Sequence, residues 1–235
     1  MKDFLLVLII CFSFSFAFSQ VDQRSYYSIH SRASSPGNTR TMQDFNNAIE
    51  LNPNDDIAYI NRGNAKFYLQ DYRGAILDYN KVIELKPDSA NGYYNRGIAK
   101  ENLNDYKGAI SDFDKAIEID KNSASAYYNR GLAKHKMQEF NAAILDYDSA
   151  IKLDPKCSDA YTNRGSVKTQ IKSYSEAITD LNKAIELNPK NSNAYYNRGL
   201  VYYYLNDKEG CCFDLSKAGE LGFEKAYDLI KQYCK

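Results

Sequence analysis

The tripeptide Asn-Arg-Gly recurs along this chain at a fixed interval of 34 residues. A strict period of this length is typical of arrays in which each copy forms a pair of helices and packs on its neighbours. Function in such an array is expected on a binding surface rather than in a catalytic site. The five copies place their arginines at Arg62, Arg96, Arg130, Arg164 and Arg198.

The composition is that of an ordinary soluble chain, with 44% hydrophobic and 26% charged residues. This apolar content is sufficient to bury a core. Thirty basic residues balance thirty acidic ones. Nucleic-acid binding is disfavoured, because neutralising phosphates requires a basic stripe that this sequence does not contain.

Residues 1–19 have the pattern of a secretory signal peptide. Lys2 precedes an apolar run from Phe4 to Phe18, and small residues precede a cleavage position before Gln20. The run of 15 residues is shorter than the ~20 that a spanning helix needs. We therefore expect a periplasmic or secreted protein with no membrane span after cleavage, although retention of the segment as an anchor remains an alternative.

Each repeat contains two helical segments separated by a polar break. An acidic or hydroxyl residue in the break, such as Asp71, suits the N-cap of the second helix. Proline ends the unit at Pro87, Pro155 and Pro189, because it cannot continue a helix. A glycine column beginning at Gly63 indicates close helix crossing, which we expect opposite small residues. The predicted units span 56–89, 90–123, 124–157, 158–191 and 192–225, after an irregular segment at 20–40 and a partial repeat at 41–55.

The sequence closely resembles the tetratricopeptide repeat (TPR) family, in an exported, bacterial-type form. The resemblance rests on the Ala-Tyr-x-Asn-Arg-Gly segment, on Ala-Ile-x-Asp-Tyr at 75–79 and 143–147, and on the terminal prolines. It covers 41–225 and implies an all-α fold, a right-handed α-solenoid of antiparallel helix hairpins with a C-terminal capping helix at 223–235. Tyrosine, as at Tyr59, replaces a frequent tryptophan of the family, and arginine replaces a usual leucine.

An aspartate column accompanies the arginine column. Arg62 lies eight residues before the break at Gln70, and Asp78 lies eight after it. Asp78 lies nine residues before Pro87, and Arg96 nine after it. In antiparallel helices these spacings place each Arg level with the Asp before and after it, which predicts a ladder across every unit junction. The alternative is a set of separate solvated charges, each worth ~0–1 kcal/mol. The column contains Asp44, Asp78, Asp112, Asp146, Asp180 and Asp214.

Four cysteines follow the signal segment, and their spacing is not that of a metal site. Cys211 and Cys234 lie eleven and twelve residues from Gly222, so antiparallel packing would bring them level. A disulfide between them is plausible in an exported protein. Cys212 is an alternative partner for Cys234, Cys211 is alternatively a small buried residue, and a soft metal on the three thiols is a third reading.

No catalytic grouping is evident. The sequence has two histidines, His30 and His135, and we expect His135 on the surface of a helix. The carboxylates occur as column members at repeat spacing, and no phosphate-binding loop is present. We therefore predict that the protein is not an enzyme and has no cofactor or metal.

The family resemblance implies that the first helix of each unit lines a concave groove that holds a protein or peptide. Asparagine offers a donor and an acceptor to a peptide backbone, and tyrosine adds contact area with a polar tip. The asparagines could instead bond within the array. The alternative function is an envelope enzyme accessory or a receptor for a small ligand or glycan. The predicted partner-binding residues are Tyr94, Asn95, Tyr128, Asn129, Asn163, Tyr196, Asn197 and Tyr203.

Overall fold

The computed structural model describes residues 42–234, so the predicted signal peptide and the irregular segment 20–40 lie outside the described residues. Twelve α-helices and no strand occur between residues 42 and 234. They are α1 Met42–Leu51, α2 Asp56–Tyr68, α3 Tyr72–Leu85, α4 Ala90–Asn102, α5 Tyr106–Ile119, α6 Ala124–Lys136, α7 Phe140–Leu153, α8 Ser158–Gln170, α9 Tyr174–Leu187, α10 Ser192–Tyr204, α11 Lys208–Glu220 and α12 Ala226–Tyr233.

The chain divides into two compact units, one ending at Ala58 and the other beginning at Tyr59. In the first, the ten-residue helix α1 has no buried side chain and stops before Pro53. The Asp55 side chain then accepts a hydrogen bond from the Ala58 amide at 3.0 Å, which caps the start of α2. The second unit contains the repeats, in which first helices (α4, α6, α8, α10) alternate with second helices (α5, α7, α9, α11).

The turn inside each hairpin contains one residue in the left-handed region of φ. The same position adopts φ values of 58–65° in all five repeats. Asparagine tolerates this conformation better than most residues, and two of the five positions carry it. The turn reverses the chain so that the second helix runs back along the first. The residues are Gln70, Asn104, Gln138, Lys172 and Asn206.

The residue after this turn is the N-cap of the second helix, as the sequence predicts. The side chains of Asp71, Asp105 and Asp207 each accept a hydrogen bond from the amide of a glycine three residues later. A side chain added at Gly108 would lie 2.1 Å from the Asp105 carboxylate, which explains the glycine. Glu139 makes no such cap bond, and alanine follows it at position 142.

The two helices of a hairpin cross at the predicted glycine column, but the group that fills the crossing is large. A side chain added at Gly97 would meet the Phe113 ring at 2.7 Å, and one at Gly131 would meet the Tyr147 ring at 3.0 Å. The small residue expected there is buried nearby, as Ala109 is. Each crossing therefore stacks a bulky side chain, 16 residues further along the chain, over a glycine. A side chain of this size contributes about 1.5–3 kcal/mol when fully buried.

Adjacent units are joined by a short turn between a second helix and the next first helix. Helices α3, α7 and α9 end two residues before Pro87, Pro155 and Pro189, respectively. Ser89 and Asn191 then cap the next first helix with their side chains. The all-α helical repeat fold predicted from the 34-residue period is confirmed.

Candidate functional site

Each arginine of the repeat forms a bidentate ion pair with the aspartate 16 residues later in its own hairpin. The Arg Nη2 to Asp Oδ1 distances are 2.5–2.7 Å in all five units. The aspartate side chains are 1–5% exposed and the arginine side chains 16–20%. Bidentate pairing fixes geometry as well as charge. These rungs, Arg62–Asp78, Arg96–Asp112, Arg130–Asp146, Arg164–Asp180 and Arg198–Asp214, are therefore not separate solvated charges.

The second contact of Arg96, and likewise that of the three later arginines, differs from the predicted ladder. Among residues 59–234, Arg96 and Arg130 do not bind Asp78 and Asp112, the preceding members of the aspartate column. The Nη1 atom of Arg130 instead contacts Asp114 at 2.6 Å, and that of Arg96 contacts Asn80 at 2.7 Å. The arginine therefore bridges two adjacent units, as expected. Its partner in the preceding unit lies two residues after the column aspartate, because that aspartate already faces the arginine of its own hairpin.

A lysine one turn after the arginine completes four of the rungs. The ammonium groups of these lysines lie 2.7–3.0 Å from the aspartate Oδ2 atoms. The arginine also lies over the tyrosine three residues before it, with its Cζ atom 5.4–5.7 Å from the ring centroid. The sequence analysis missed the lysine column, although it has the same 34-residue period. Its members are Lys66, Lys100, Lys134 and Lys168, and the fifth position is Tyr202.

The first helices of neighbouring units also touch one another directly, α4 with α6, α6 with α8 and α8 with α10. We call the surface where they meet the first-helix face. Asn129 Nδ2 donates to Tyr94 Oη at 2.9 Å, and Asn163 Nδ2 donates to Tyr128 Oη at 2.8 Å. Both bonds join residues 35 apart, so they tie consecutive first helices together. These predicted partner-binding residues therefore bond within the array.

The other two asparagines have different environments. Asn95 is buried, and its amide nitrogen lies 3.3 Å from Asn64 Oδ1. Asn197 is half-buried. The residue 35 positions before it is Thr162, whereas the residue 35 positions before Asn129 and Asn163 is a tyrosine. The Asn column thus repeats in sequence while its bonding changes from unit to unit.

Helix α12 covers the end of the first-helix face. The Tyr196 ring lies 4.4 Å from the Phe223 ring, and the Tyr203 ring lies 4.8 Å from the Tyr233 ring. Burial raises the pKa of Tyr196 to about 12. A turn through Gly222, at a φ of 92°, directs the chain into α12. Tyr196 and Tyr203 therefore contact the protein's own C-terminal segment.

The disulfide joins Cys212, and not Cys211, to Cys234, with Cα atoms 5.7 Å apart. Our preferred pairing of Cys211 with Cys234 is wrong. Successive residues of a helix project about 100° apart, so only one of two adjacent cysteines can face α12. Cys211 points into the hairpin and is 1% exposed, at the position that alanine fills in the other units.

Titratable groups gather near the middle of the first-helix face. Burial lowers the pKa of His135 to about 4, and Gln170 lies 2.7 Å from its Nε2 atom. The histidine is buried, whereas the sequence analysis placed it on the surface. Burial raises the pKa of Glu101 to about 7, with Lys136 acting in the opposite direction. Sequence reasoning missed Glu101, which shares the 34-residue column of His135.

Between residues 42 and 234, no three His, Cys, Asp or Glu side chains lie together as metal ligands would. Within the same range, no helix is both long and apolar enough to cross a bilayer.

Comparison with known families identifies the repeat. The model described as TPR repeat matches residues 63–104, 102–138 and 165–206, and the model described as Tetratricopeptide repeat matches residues 124–157. The chain belongs to the tetratricopeptide repeat family. No curated protein sequence matches this TPR protein significantly.

Solved structures show the same fold. YrrB, described as a TPR protein with an unusual peptide-binding site, is 26% identical at a TM-score of 0.66, over 81% of this chain and 100% of YrrB. MamA is 30% identical at a TM-score of 0.63, over 70% of this chain and 96% of MamA. PilF of Pseudomonas aeruginosa is 20% identical at a TM-score of 0.65, over 71% of this chain and 76% of PilF, and shows similarity of fold alone.

Proposed function

We propose that this TPR protein is a non-catalytic scaffold that binds a protein or an extended peptide on its first-helix face. The observation that carries the proposal is the contrast between the two repeated surfaces. The rungs repeat in every unit, whereas the position beside the Asn column varies. Structural repetition stabilises the array, and variation on one face supplies a surface with its own chemistry. That position holds Ile60, Tyr94, Tyr128, Thr162 and Tyr196.

Similarity to YrrB supports the same proposal, because YrrB is described as having a peptide-binding site. Repeat arrays present extended surfaces that suit extended ligands. On this chain the polar groups left for a ligand are fewer than the sequence indicates. Asn129 uses both amide hydrogens, on Tyr94 Oη and on the Ser125 carbonyl. Within residues 42–234 its Oδ1 atom accepts no hydrogen bond, so it can accept one from a peptide N–H.

The site is expected toward the second, third and fourth units. Tyr196 and Tyr203 are covered by the C-terminal segment, so they contribute less than the sequence pattern implies. Tyr94 and Tyr128 are half-buried, and each presents an aromatic ring beside the hydrogen-bonded asparagines. This arrangement places rigid aromatic area next to fixed polar groups, which is typical of interface anchors.

Affinity capture with matched surface variants tests the proposal. The Tyr128→Ala, Asn129→Ala double variant alters the first-helix face, and Leu145→Ser alters an exposed residue of second helix α7. We expect the double variant to lose the proteins that wild type captures and Leu145→Ser to keep them, once thermal melts show both variants folded. Retention of the same proteins by the double variant would place the interface elsewhere.

We also propose that the protein is exported. The signal-like segment at 1–19 motivates the proposal, and the Cys212–Cys234 disulfide is consistent with an oxidising compartment. Expression of the full chain with a C-terminal tag tests it. We expect the tagged protein outside the cytoplasm, shortened by the signal segment. Full-length protein confined to the cytoplasm would refute export.

A further inference from the structure

One column of the first helices crosses the middle of the first-helix face and contains a single carboxylate. Thr169 donates to the Gly165 carbonyl at 2.8 Å, His135 contacts Gln170, and Tyr203 contacts Tyr233. Glu101 differs from these three. Within residues 42–234 its half-buried carboxylate accepts no hydrogen bond and forms no close ion pair. The column is Phe67, Glu101, His135, Thr169 and Tyr203.

The electrostatic neighbours of this carboxylate are mostly tyrosines, and Tyr94, seven residues before Glu101, lies on the same side of α4. The Glu101 carboxylate interacts electrostatically with Tyr94 on its own helix, with Tyr106 on α5, with Tyr128 and Lys136 on α6 and with Tyr147 on α7. Burial and the neighbouring charge raise the pKa of all four tyrosines, so they are neutral near pH 7. Lys136 supplies the cation among these groups, and its charge acts on the Glu101 carboxyl against the effect of burial.

We propose that Glu101 anchors a lysine or arginine side chain of the bound partner segment, with Tyr94 and Tyr128 lining the place where that side chain lies. This proposal rests on the proposed function and names the chemistry of the ligand. A half-buried carboxylate without hydrogen-bond donors gains from a ligand that brings N–H donors and positive charge. Aromatic faces near the carboxylate add cation–π attraction for the same ligand group.

Lys136 makes the proposal specific. Its charge repels an incoming cation, so replacing it by an uncharged residue of similar length should favour the ligand. If Lys136 instead neutralised Glu101, the carboxylate would attract a ligand cation only weakly, and replacing Lys136 would not tighten binding. The substitutions Glu101→Gln and Lys136→Met therefore have opposite expected effects on binding.

The pH dependence follows from the raised pKa of Glu101. Below pH 7 the carboxyl is largely protonated and attracts a cation weakly, and above pH 7 it is charged. His135, on the adjacent helix, stays neutral through this range because burial lowers its pKa to about 4. Binding of a basic segment should strengthen as the pH rises from 6 to 8. Glu101→Gln should remove this dependence.

The experiment is selection from a random 12-residue peptide library on the purified full chain, followed by binding titrations of the enriched peptides at pH 6 and pH 8. We expect enriched peptides to share a lysine or arginine, and Glu101→Gln to weaken their binding at pH 8 about tenfold or more, the size of one charge-assisted hydrogen bond. Lys136→Met should tighten binding. Glu118→Gln, on the exposed surface of α5, is the matched control and should leave binding unchanged.

The outcomes separate the two proposals. No enriched peptide with wild type would overturn both the proposed function and the anchor. Enriched peptides without a basic residue, or equal binding by wild type and Glu101→Gln, would overturn the anchor and leave the scaffold function standing. The fold of Glu101→Gln is checked by urea denaturation at pH 8. Its midpoint should equal or exceed that of wild type, because a carboxyl with a raised pKa destabilises the folded state as the pH rises from about 4.5 to 7.

Discussion

The third unit and the fifth unit of the array are built on the same hairpin but stabilised differently. In the third unit Asp146 binds both Arg130 and Lys134. In the fifth unit tyrosine replaces the lysine, and Asp214, which is fully buried, pairs with Arg198. The fifth unit adds a disulfide and aromatic contacts to α12. The interior unit thus places two cations on its buried carboxylate, whereas the end unit has one cation there and adds covalent and aromatic contacts.

The largest expected effect is loss of the aspartate in an interior rung. Asp146→Ala leaves Arg130 and Lys134 without their buried carboxylate and should cost about 3–5 kcal/mol, as removal of one partner of a buried ion pair does. Asp214→Ala leaves one cation without its carboxylate instead of two, and it should lower the free energy of unfolding by less. Urea denaturation measures both. The control is Asp114→Ala, whose side chain is 54% exposed. Similar midpoints for Asp146→Ala and Asp114→Ala would show that the rung is a surface pair.

The disulfide should stabilise the end unit and leave the interior units unaffected. Cys212 and Cys234 are 22 residues apart, and closing a loop of this length is worth about 3 kcal/mol in the chain-entropy model. Cys212→Ser should therefore speed amide exchange in residues 192–233 while residues 124–157 keep their protection. Cys157→Ser, which removes a free thiol, is the control. Faster exchange across both segments would mean that the two units do not differ in this way.

Removing the lysine from an interior rung, so that it resembles the rung of the fifth unit, should have a smaller effect on stability. Lys134→Met removes the second cation from Asp146, as Tyr202 does in the fifth unit. Because Arg130 still binds the carboxylate, the expected loss is about 0.5–1 kcal/mol. The urea midpoint should fall slightly, and the fall should shrink in high salt. A loss as large as that of Asp146→Ala would show that the lysine, and not the arginine, compensates the carboxylate.

The smallest effects concern the N-caps of the second helices. Asp207→Ala removes a cap bond to the Gly210 amide and should cost about 1 kcal/mol. Glu139→Ala, at the same position of the third unit, removes no cap bond and should change stability by about 0 kcal/mol. Thermal melts of the two variants provide the measurement. Equal losses would argue against a difference between the two caps.

The sequence predicted the fold well because the period fixes the helix lengths and the turns together. Arg96 and Asp112 could be paired from their distance to the hairpin break alone. The junction partner could not, because the choice between Asp112 and Asp114 for Arg130 depends on which face of α5 each residue occupies. The choice between Cys211 and Cys212 failed for the same reason. Counting residues from a turn gives the level of a side chain along a helix and not its direction around it.

The binding face was less predictable than the scaffold. Asn129 and Asn163 repeat in sequence, and repetition alone does not tell whether an amide faces a ligand or a neighbouring tyrosine. The structure assigns their donors to Tyr94 and Tyr128. Glu101 breaks a column of otherwise uncharged side chains, and such an exception within a repeat was the signal available in the sequence.

Each interior arginine contacts two second helices while belonging to a first helix. Arg130 on α6 binds Asp146 on α7 and Asp114 on α5. Opening the third unit alone would therefore break its internal rung and also detach it from the unit before. Local fluctuations of the array should consequently involve at least two repeats at a time, so that the arginine column sets the minimum size of a cooperative opening.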